Sequence, residues 1–515
     1  MRERDVPAAG RWGRITTAMV QTSEIWTLAG LETVDSIHYG AFKHTSTEGS
    51  FMSELSLQHV TDDPQQRTRR AVAAATAGTF IEWYEYGLYA FVAGLVIAPL
   101  FFPPDIGSLA QLAAFGTFAV GFIARPLGGI IFGAAADKWG RRPVMVISIL
   151  LMGVATTAIG LLPPFSVIGL WAPILLVVFR LVQGAGAGAE LATAMIYVSE
   201  STLPKKKGFH SSFLMFGSMA GNLLALVLFT TLSAVLSSES FLDWGWRLPF
   251  LLGSILTIVG IVLRSGIGET PEFEKVQESR RVGNTSAARS NPFLAMIYSF
   301  RASPRNFAGG FLIPSGLNVT GFVATTFGIS YLTTQIGLRP SEALLTNLAM
   351  ISTGMVFILL WGKLSDRFGS KSILLAGAIG GIIFAFPYFL LLGTGNLALI
   401  VLASVILWAV GWATGTTTQT VVLPTLFKPE YRASGLTSSR ELQGGFIAGP
   451  TPLVASALVL ALNGSPWLVA GMLIVAQLMT ITGTMIARPI ITAEDAAETP
   501  AYRGLVPISP THHNK

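Results

Sequence analysis

The chain has 515 residues, of which 51% are hydrophobic and only 12% charged, and its formal net charge is +6. A soluble domain carries about 25% charged residues, so the composition excludes a soluble globular domain and, with a mean hydropathy of +0.59, indicates a polytopic membrane protein. The lack of cysteine excludes disulfides and thiolate metal sites, the scattered histidines have no metal-ligand spacing, and the positive charge reads as cytoplasmic-loop Lys and Arg rather than as a nucleic-acid surface.

In chain order, residues 1–66 are polar and aperiodic, with no signal-peptide core. Either Met52, which opens MSELSLQHVTDDPQQRTRR, is the start, or the upstream part is a disordered cytoplasmic arm. Twelve apolar stretches follow, at 71–98, 110–136, 144–163, 170–197, 209–236, 248–265, 306–334, 343–364, 371–393, 397–423, 434–461 and 466–487. Many reach the roughly 20 residues that a membrane helix needs. The polar break at 266–305 divides them six and six. The expected all-α fold is an N-terminal six-helix bundle at 67–265, a central cytoplasmic loop, a C-terminal six-helix bundle at 306–488 and a tail at 489–515. Alternate loops carry the basic residues, among them Lys138, Lys205, Lys207, Lys363 and Lys371, whereas the other set holds only Arg247 and Arg339. The positive-inside rule puts the first set and both termini in the cytoplasm.

Span 1 contains GTFIEWYEYGLYAF. Glu82, Glu85, Tyr86 and Tyr89 fall at i, i+3, i+4 and i+7, one stripe of a helix. A charged carboxylate inside a membrane costs several kcal/mol unless it is paired or neutralised. Such an acid can take a proton on one side of the membrane and release it on the other. Span 2 carries Arg125 within ARPLGG, either a structural partner for an acid or a carboxylate binder. The loop after span 2 reads GAAADKWGRR and supplies Gly133, Asp137, Arg141 and Arg142. Acidic residues contribute little to topology, so Asp137 needs another role. A charge cluster where two bundles meet is a candidate conformational latch.

Span 4 places Arg180, Gln183 and Glu190 on one face, with Arg180 a candidate partner for the span 1 acids and Glu190 either a gate or a substrate contact. In the second half, GKLSDRFGSK repeats the loop motif with Gly362, Asp366 and Arg367, and Ser370 replaces a basic residue. Spans 7 and 10 have no acid or base in their middles. They offer Asn318, Thr325, Trp408, Trp412 and Gln419, read as neutral substrate contacts with packing as the alternative for the tryptophans. Span 11 opens with an adjacent Arg440 and Glu441, expected to mark either a cytoplasmic gate or, as favoured here, a helix end closer to water.

The G-x-x-x-D-[RK]-x-G-[RK]-[RK] loop resembles the signature of the major facilitator superfamily. With FIARPLGGIIFGAAADKWGRRP, FRLVQGAGAGAE, FLDWGWRLPFLLG and GETPEF, the chain resembles the metabolite:proton symporter family over roughly residues 68–488. The resemblance implies that Asp137 and Arg141 stabilise an outward-facing state. It also implies a proton-coupling pair of one span 1 acid, Glu85 ahead of Glu82, with Arg180. The family usually has an aspartate at the Glu85 position and an uncharged stretch where Arg440 and Glu441 stand.

The expected function is a proton-coupled symporter importing a small organic acid anion across a bacterial inner membrane. A zwitterion such as proline or glycine betaine is the alternative. A drug exporter is disfavoured because span 5 lacks the G-P-x-x-G-G element of the superfamily's antiporters. No G-x-x-x-x-G-K-[ST] loop is present, which argues against an ATP-driven pump, and no enzymatic role is expected. No cofactor beyond the coupling proton is expected. The partners are then substrate, protons and the bilayer, with one complete pathway in a monomer.

Overall fold

In hydrocarbon every backbone N–H and C=O must be satisfied within its own segment, which leaves the helix as the solution for an apolar chain of this kind. A computed structural model describes residues 64–103, 105, 108–266, 268–281 and 291–505. Among them there are helices and no strands. The choice of start at Met52, nearly all of the N-terminal extension and the end of the tail lie outside the described residues.

Among the described residues twelve long helices form the body. α1 is Pro64–Val92, continued through a π turn at Ala93–Ile97 to Phe101. α2 is Ser108–Trp139, α3 Arg141–Leu161, α4 Trp171–Ser201, α5 Lys207–Val235 and α6 Arg247–Ser265. α7 runs Pro304–Thr334, α8 Pro340–Phe368, α9 Ser370–Leu392, α10 Leu397–Leu426, α11 Arg432–Ala461 and α12 Trp467–Ile486. Among the described residues eleven helices are long and apolar enough to cross a membrane. The remaining long helix is α1, made less apolar by Glu82, Glu85 and its tyrosines.

The helices pack as two groups of six. In the first, α1 lies on α5, α4 and α6, and α4 on α2 and α3; in the second, α12 lies on α7 and α9, and α10 on α8 and α9. The groups meet chiefly along α5–α8 and α2–α11. The core of the first bundle is aromatic, with Tyr84, Tyr89, Phe101, Trp246 and Phe250 all fully buried.

The stretch 266–305, expected as a polar loop, contains two helices, Pro271–Arg281 and Pro292–Ala302. The second starts where the Asn291 side chain accepts from the N–H groups of Phe293 and Leu294, with Pro292 at the first helical position. π turns interrupt α7 at Val323–Phe327, α10 at Leu407–Trp412 and α11 at Gly444–Ala448. Such turns concentrate at functional sites, and nothing in the amino-acid pattern announces them.

Candidate functional site

The α1 stripe is buried between helices. Glu82 and Glu85 are both fully excluded from solvent. Arg125 Nη2 donates to Glu82 Oε1 at 2.9 Å, and Arg125 Nε donates to the Tyr86 hydroxyl at 2.9 Å. The Arg125 guanidinium also lies 4.0 Å from the Tyr86 ring centre, so Tyr86 holds the cation by its ring and by its oxygen. Of the two readings of Arg125, the structure realises partnership with an acid. Glu82 Oε2 has no partner.

Glu85 does not meet Arg180 directly, which corrects the expected ion pair. Gln183 stands between them: Arg180 Nη1 donates to Gln183 Oε1, and Gln183 Nε2 donates to Glu85 Oε2 at 3.3 Å and to Thr156 at 2.7 Å. The reason lies in where the arginine fork is held. Arg180 donates to the backbone oxygens of Thr117 and Phe118 on α2 and sits 4.0 Å over the Tyr89 ring. Gly121 leaves the room, since a Cβ there would lie 2.5 Å from Arg180 Nη2. Tyr89 is fixed in turn by a 2.6 Å bond to Thr117.

Glu190 is not a cavity residue. It forms a fully buried ion pair with Arg264 of α6 and accepts from Ser148 at 2.7 Å. Arg264, the last basic residue before the polar break, went unrecognised as a partner. Its signal was the acid on α4 that Arg180, ten residues earlier on the same face, is too far along the helix to satisfy.

In the second bundle Asn318 donates to Gln443 at 2.7 Å. Trp408 and Trp412 stack with centroids 4.1 Å apart and are both buried, packed against Gly354 and Gly321. Trp408 Nε1 and Gln419 Oε1 have no partner. Thr325 is spent on the Gly321 carbonyl of its own helix. Arg440 and Glu441 pair with each other; Glu441 is almost completely buried and Arg440 partly so. The expectation of a helix end near water is therefore wrong. α11 packs there against α2, with Glu441 against Gly129 and Gly445 against Pro126.

The repeated loop motif does the same thing twice. Asp137 accepts from the N–H groups of Ala433 and Ser434, at 3.0 and 2.8 Å, and from the Ser434 hydroxyl at 2.6 Å. Asp366 accepts from the N–H groups of Gly208 and Phe209, at 2.7 and 2.9 Å. Each carboxylate thus caps the first turn of a helix in the opposite bundle, where free N–H groups and the helix dipole favour an anion. Gly133 and Gly362 let the helices close: a Cβ would lie 2.1 Å from Thr437 Oγ1 and 2.7 Å from Ser212 Oγ. Gly140 and Gly369, with φ of 107° and 88°, turn the chain after each aspartate.

Arg141 reinforces the first cap, lying 3.9 Å from Asp137 and 3.6 Å from Glu200, while Arg432 reaches Glu200 at 2.6 Å. Arg142 instead binds the end of α6, donating to the Arg264 and Ser265 carbonyls. Its backbone N–H donates to Glu269, whose carboxyl is pushed up by burial. Arg367 is exposed and makes no side-chain contact with the opposite bundle among the described contacts.

A hollow of about 630 Å³ between α1, α5 and α6 is lined mainly by apolar side chains such as Val72, Phe80 and Phe213, and by none of these acids.

The model of the Major Facilitator Superfamily matches residues 76–450. A glycine betaine/proline/ectoine/pipecolic acid transporter of Dickeya dadantii is 36% identical over 411 residues, 79% of this chain and 80% of that protein. The proline/betaine transporter of Escherichia coli K12 is 34% identical over 452 residues, 86% of this chain and 89% of its own. The shikimate transporter of the same organism is 34% identical over 418 residues, 80% and 93% respectively. The solved structure of the proton:xylose symporter XylE superposes with a TM-score of 0.62 at 17% identity, covering 82% of this chain and 95% of that one.

Proposed function

The chain belongs to the Major Facilitator Superfamily, and from that premise we propose that it is a proton-coupled symporter of a small zwitterion of the proline or betaine kind. The observation that carries the reading is the pair of buried glutamates on one stripe of α1, each tied to an arginine, one directly and one through Gln183.

This arrangement couples two ligands by charge balance. With both acids ionised, the arginines are matched. A proton on one glutamate leaves an arginine without its counter-charge. A substrate carboxylate then takes that place, because guanidinium forks match carboxylates in two parallel hydrogen bonds. Proton and carboxylate favour each other's binding, which is the thermodynamic content of symport. When the far side opens and the proton leaves, the glutamate reclaims its arginine and the carboxylate is expelled.

A carboxylate is common to organic acids and zwitterions, so the arginines do not choose between them. Two features favour the zwitterion over the organic acid anion expected from the sequence. The relatives named for proline and betaine include the one with the highest identity reported above. Aromatic rings also line the acid–arginine cluster, Tyr86 against Arg125 and Tyr89 against Arg180, and aromatic faces attract alkylammonium cations. The second reading, a small carboxylate anion, draws on the shikimate relative. On either reading we place the protein in a bacterial inner membrane with the Asp137 and Asp366 caps on the cytoplasmic side, the side that these caps would hold closed.

The test is purified protein in liposomes loaded with a pH-sensitive dye. Proline, glycine betaine, shikimate and dicarboxylates are added outside, with empty liposomes as the control for passive leak. Protein-dependent acidification by proline or betaine is the expected result. Acidification by shikimate or a dicarboxylate alone moves the assignment to the second reading. No response to any of them overturns both.

A further inference from the structure

Arg440 and Glu441 lie next to each other in sequence, on neighbouring faces of α11, and nothing in the symport scheme above uses them. A buried ion pair is a poor way to gain stability, because desolvation offsets much of the attraction. The pair sits where the bundles touch. Glu441 rests on Gly129 of α2, one turn from Arg125, and Gly445 rests on Pro126, the residue after Arg125. Arg125 is thus paired with Glu82 of its own bundle and lies one helical turn from the glycine on which Glu441 of the other bundle rests. The charges alternate in sign from one bundle to the other: Glu82, Arg125, Glu441, Arg440. Two polar atoms in this group, Glu82 Oε2 and Arg440 Nε, have no hydrogen-bond partner.

We propose that Glu441 is a second, inter-bundle partner of Arg125 that holds the cytoplasmic side closed, and that Arg440 is its travelling counter-ion. When α11 swings away from α2, Glu441 leaves Arg125. Arg440, paired with it on the same helix, stays with it as its counter-ion. Arg125 is left with Glu82 alone, so opening the cytoplasmic side changes the field on the α1 acid. In this way Glu441 is a positioning residue that ties proton handling to the conformational change. The role presupposes the reading of the bundles as halves of an alternating carrier, but not the identity of the substrate.

The test reads accessibility rather than transport. The natural chain has no cysteine, so a single one can be introduced at Ser438, which is 1% exposed, has an unpartnered hydroxyl and lies one turn from Glu441. The labelling rate of S438C by a bulky maleimide in liposomes reports opening of the α2–α11 seam. E441Q should raise that rate about tenfold, as an inter-bundle coupling of ordinary size does. The double variant R440Q/E441Q should be equally fast, because Arg125 loses its partner in both. R440Q alone should stay within about threefold of the parent, because Glu441 still faces Arg125. A pair that only neutralises itself gives the opposite pattern, with the double variant returning to the parent rate, and that result overturns the proposal. An unchanged rate in E441Q overturns it too. Should E441Q fail to fold, as judged by gel filtration, the double variant decides alone. Labelling needs no substrate, so this outcome is independent of whether proline, betaine or an acid is carried.

Discussion

Asp137 and Asp366 stand 229 positions apart in the chain and make equivalent bonds, each accepting two consecutive backbone N–H groups from the first turn of a helix in the other bundle. The two caps are not equal. Asp137 is 4% exposed, also takes the Ser434 hydroxyl and has Arg141 nearby. Asp366 is less buried, and Ser370 stands where Arg141 would. Hydrogen bonds to a charged group contribute about 1.5–3 kcal/mol, enough to bias a two-state carrier.

Asp137→Asn should therefore open the seam between the bundles at the caps more than Asp366→Asn does. Spin labels at cysteines replacing the exposed Lys138 and Arg367 read the separation of α2 and α8. The expected result is a longer distance distribution in D137N and a smaller shift in D366N. Equal distributions in both variants and the parent would remove the latch role.

Gly133→Ala should act on the same seam from the packing side. Its Cβ would meet Thr437 Oγ1 at 2.1 Å, and Thr437 is held by bonds to Gly129 and Ala433. Overpacking of this kind costs about 1–3 kcal/mol. Uptake should fall in G133A and recover in part in G133A/T437A, where the clashing oxygen is gone. No recovery in the double variant would locate the cost elsewhere.

Glu190→Gln addresses stability rather than transport geometry. It leaves Arg264 buried with its counter-charge removed, a loss of about 3–5 kcal/mol. The apparent Tm of purified protein should drop clearly, and E190Q/R264Q should lie closer to wild type than E190Q does. Gly78→Ala should also lower it, since a Cβ there would lie 1.5 Å from Arg264 Nη2. If E190Q melts with wild type, the pair is not structural.

What the sequence made legible depended on what each residue must do alone. A carboxylate among apolar residues is conspicuous wherever its partner stands, so Glu82, Glu85 and Glu190 could be marked on α1 and α4. The repeated loop motif and the alternation of basic loops exposed the two halves in the same way. Partners were harder. Arg264 satisfies Glu190 from 74 residues away, and the N–H groups that satisfy Asp137 lie 296 and 297 residues away on a backbone that carries no side-chain signature. Gln183 was visible on the right face of α4, but only the third dimension shows that it replaces a direct Arg180–Glu85 contact. Arg440 and Glu441 were misread because burial at a bundle seam and exposure at a helix end give the same sequence, a charged pair at the start of an apolar run.

Gln183→Leu should separate the two acids functionally. It removes the link between Arg180 and Glu85 while Glu82 keeps Arg125. Proton-driven accumulation should fall at least tenfold if Glu85 is the coupling acid, on the scale of one or two buried hydrogen bonds. Accumulation within about twofold of wild type, below the change that one such bond makes, would shift the role to Glu82.

The central claim is that an acid on α1 carries the coupled proton. The most direct measurement compares uphill uptake with substrate exchange in liposomes for Glu85→Gln and Glu82→Gln, each against wild type. The coupling variant should fail to accumulate substrate against its gradient yet still exchange labelled for unlabelled substrate, because the conformational cycle remains and only the proton is lost. If both variants accumulate substrate as wild type does, neither acid carries the proton and the stripe on α1 is structural.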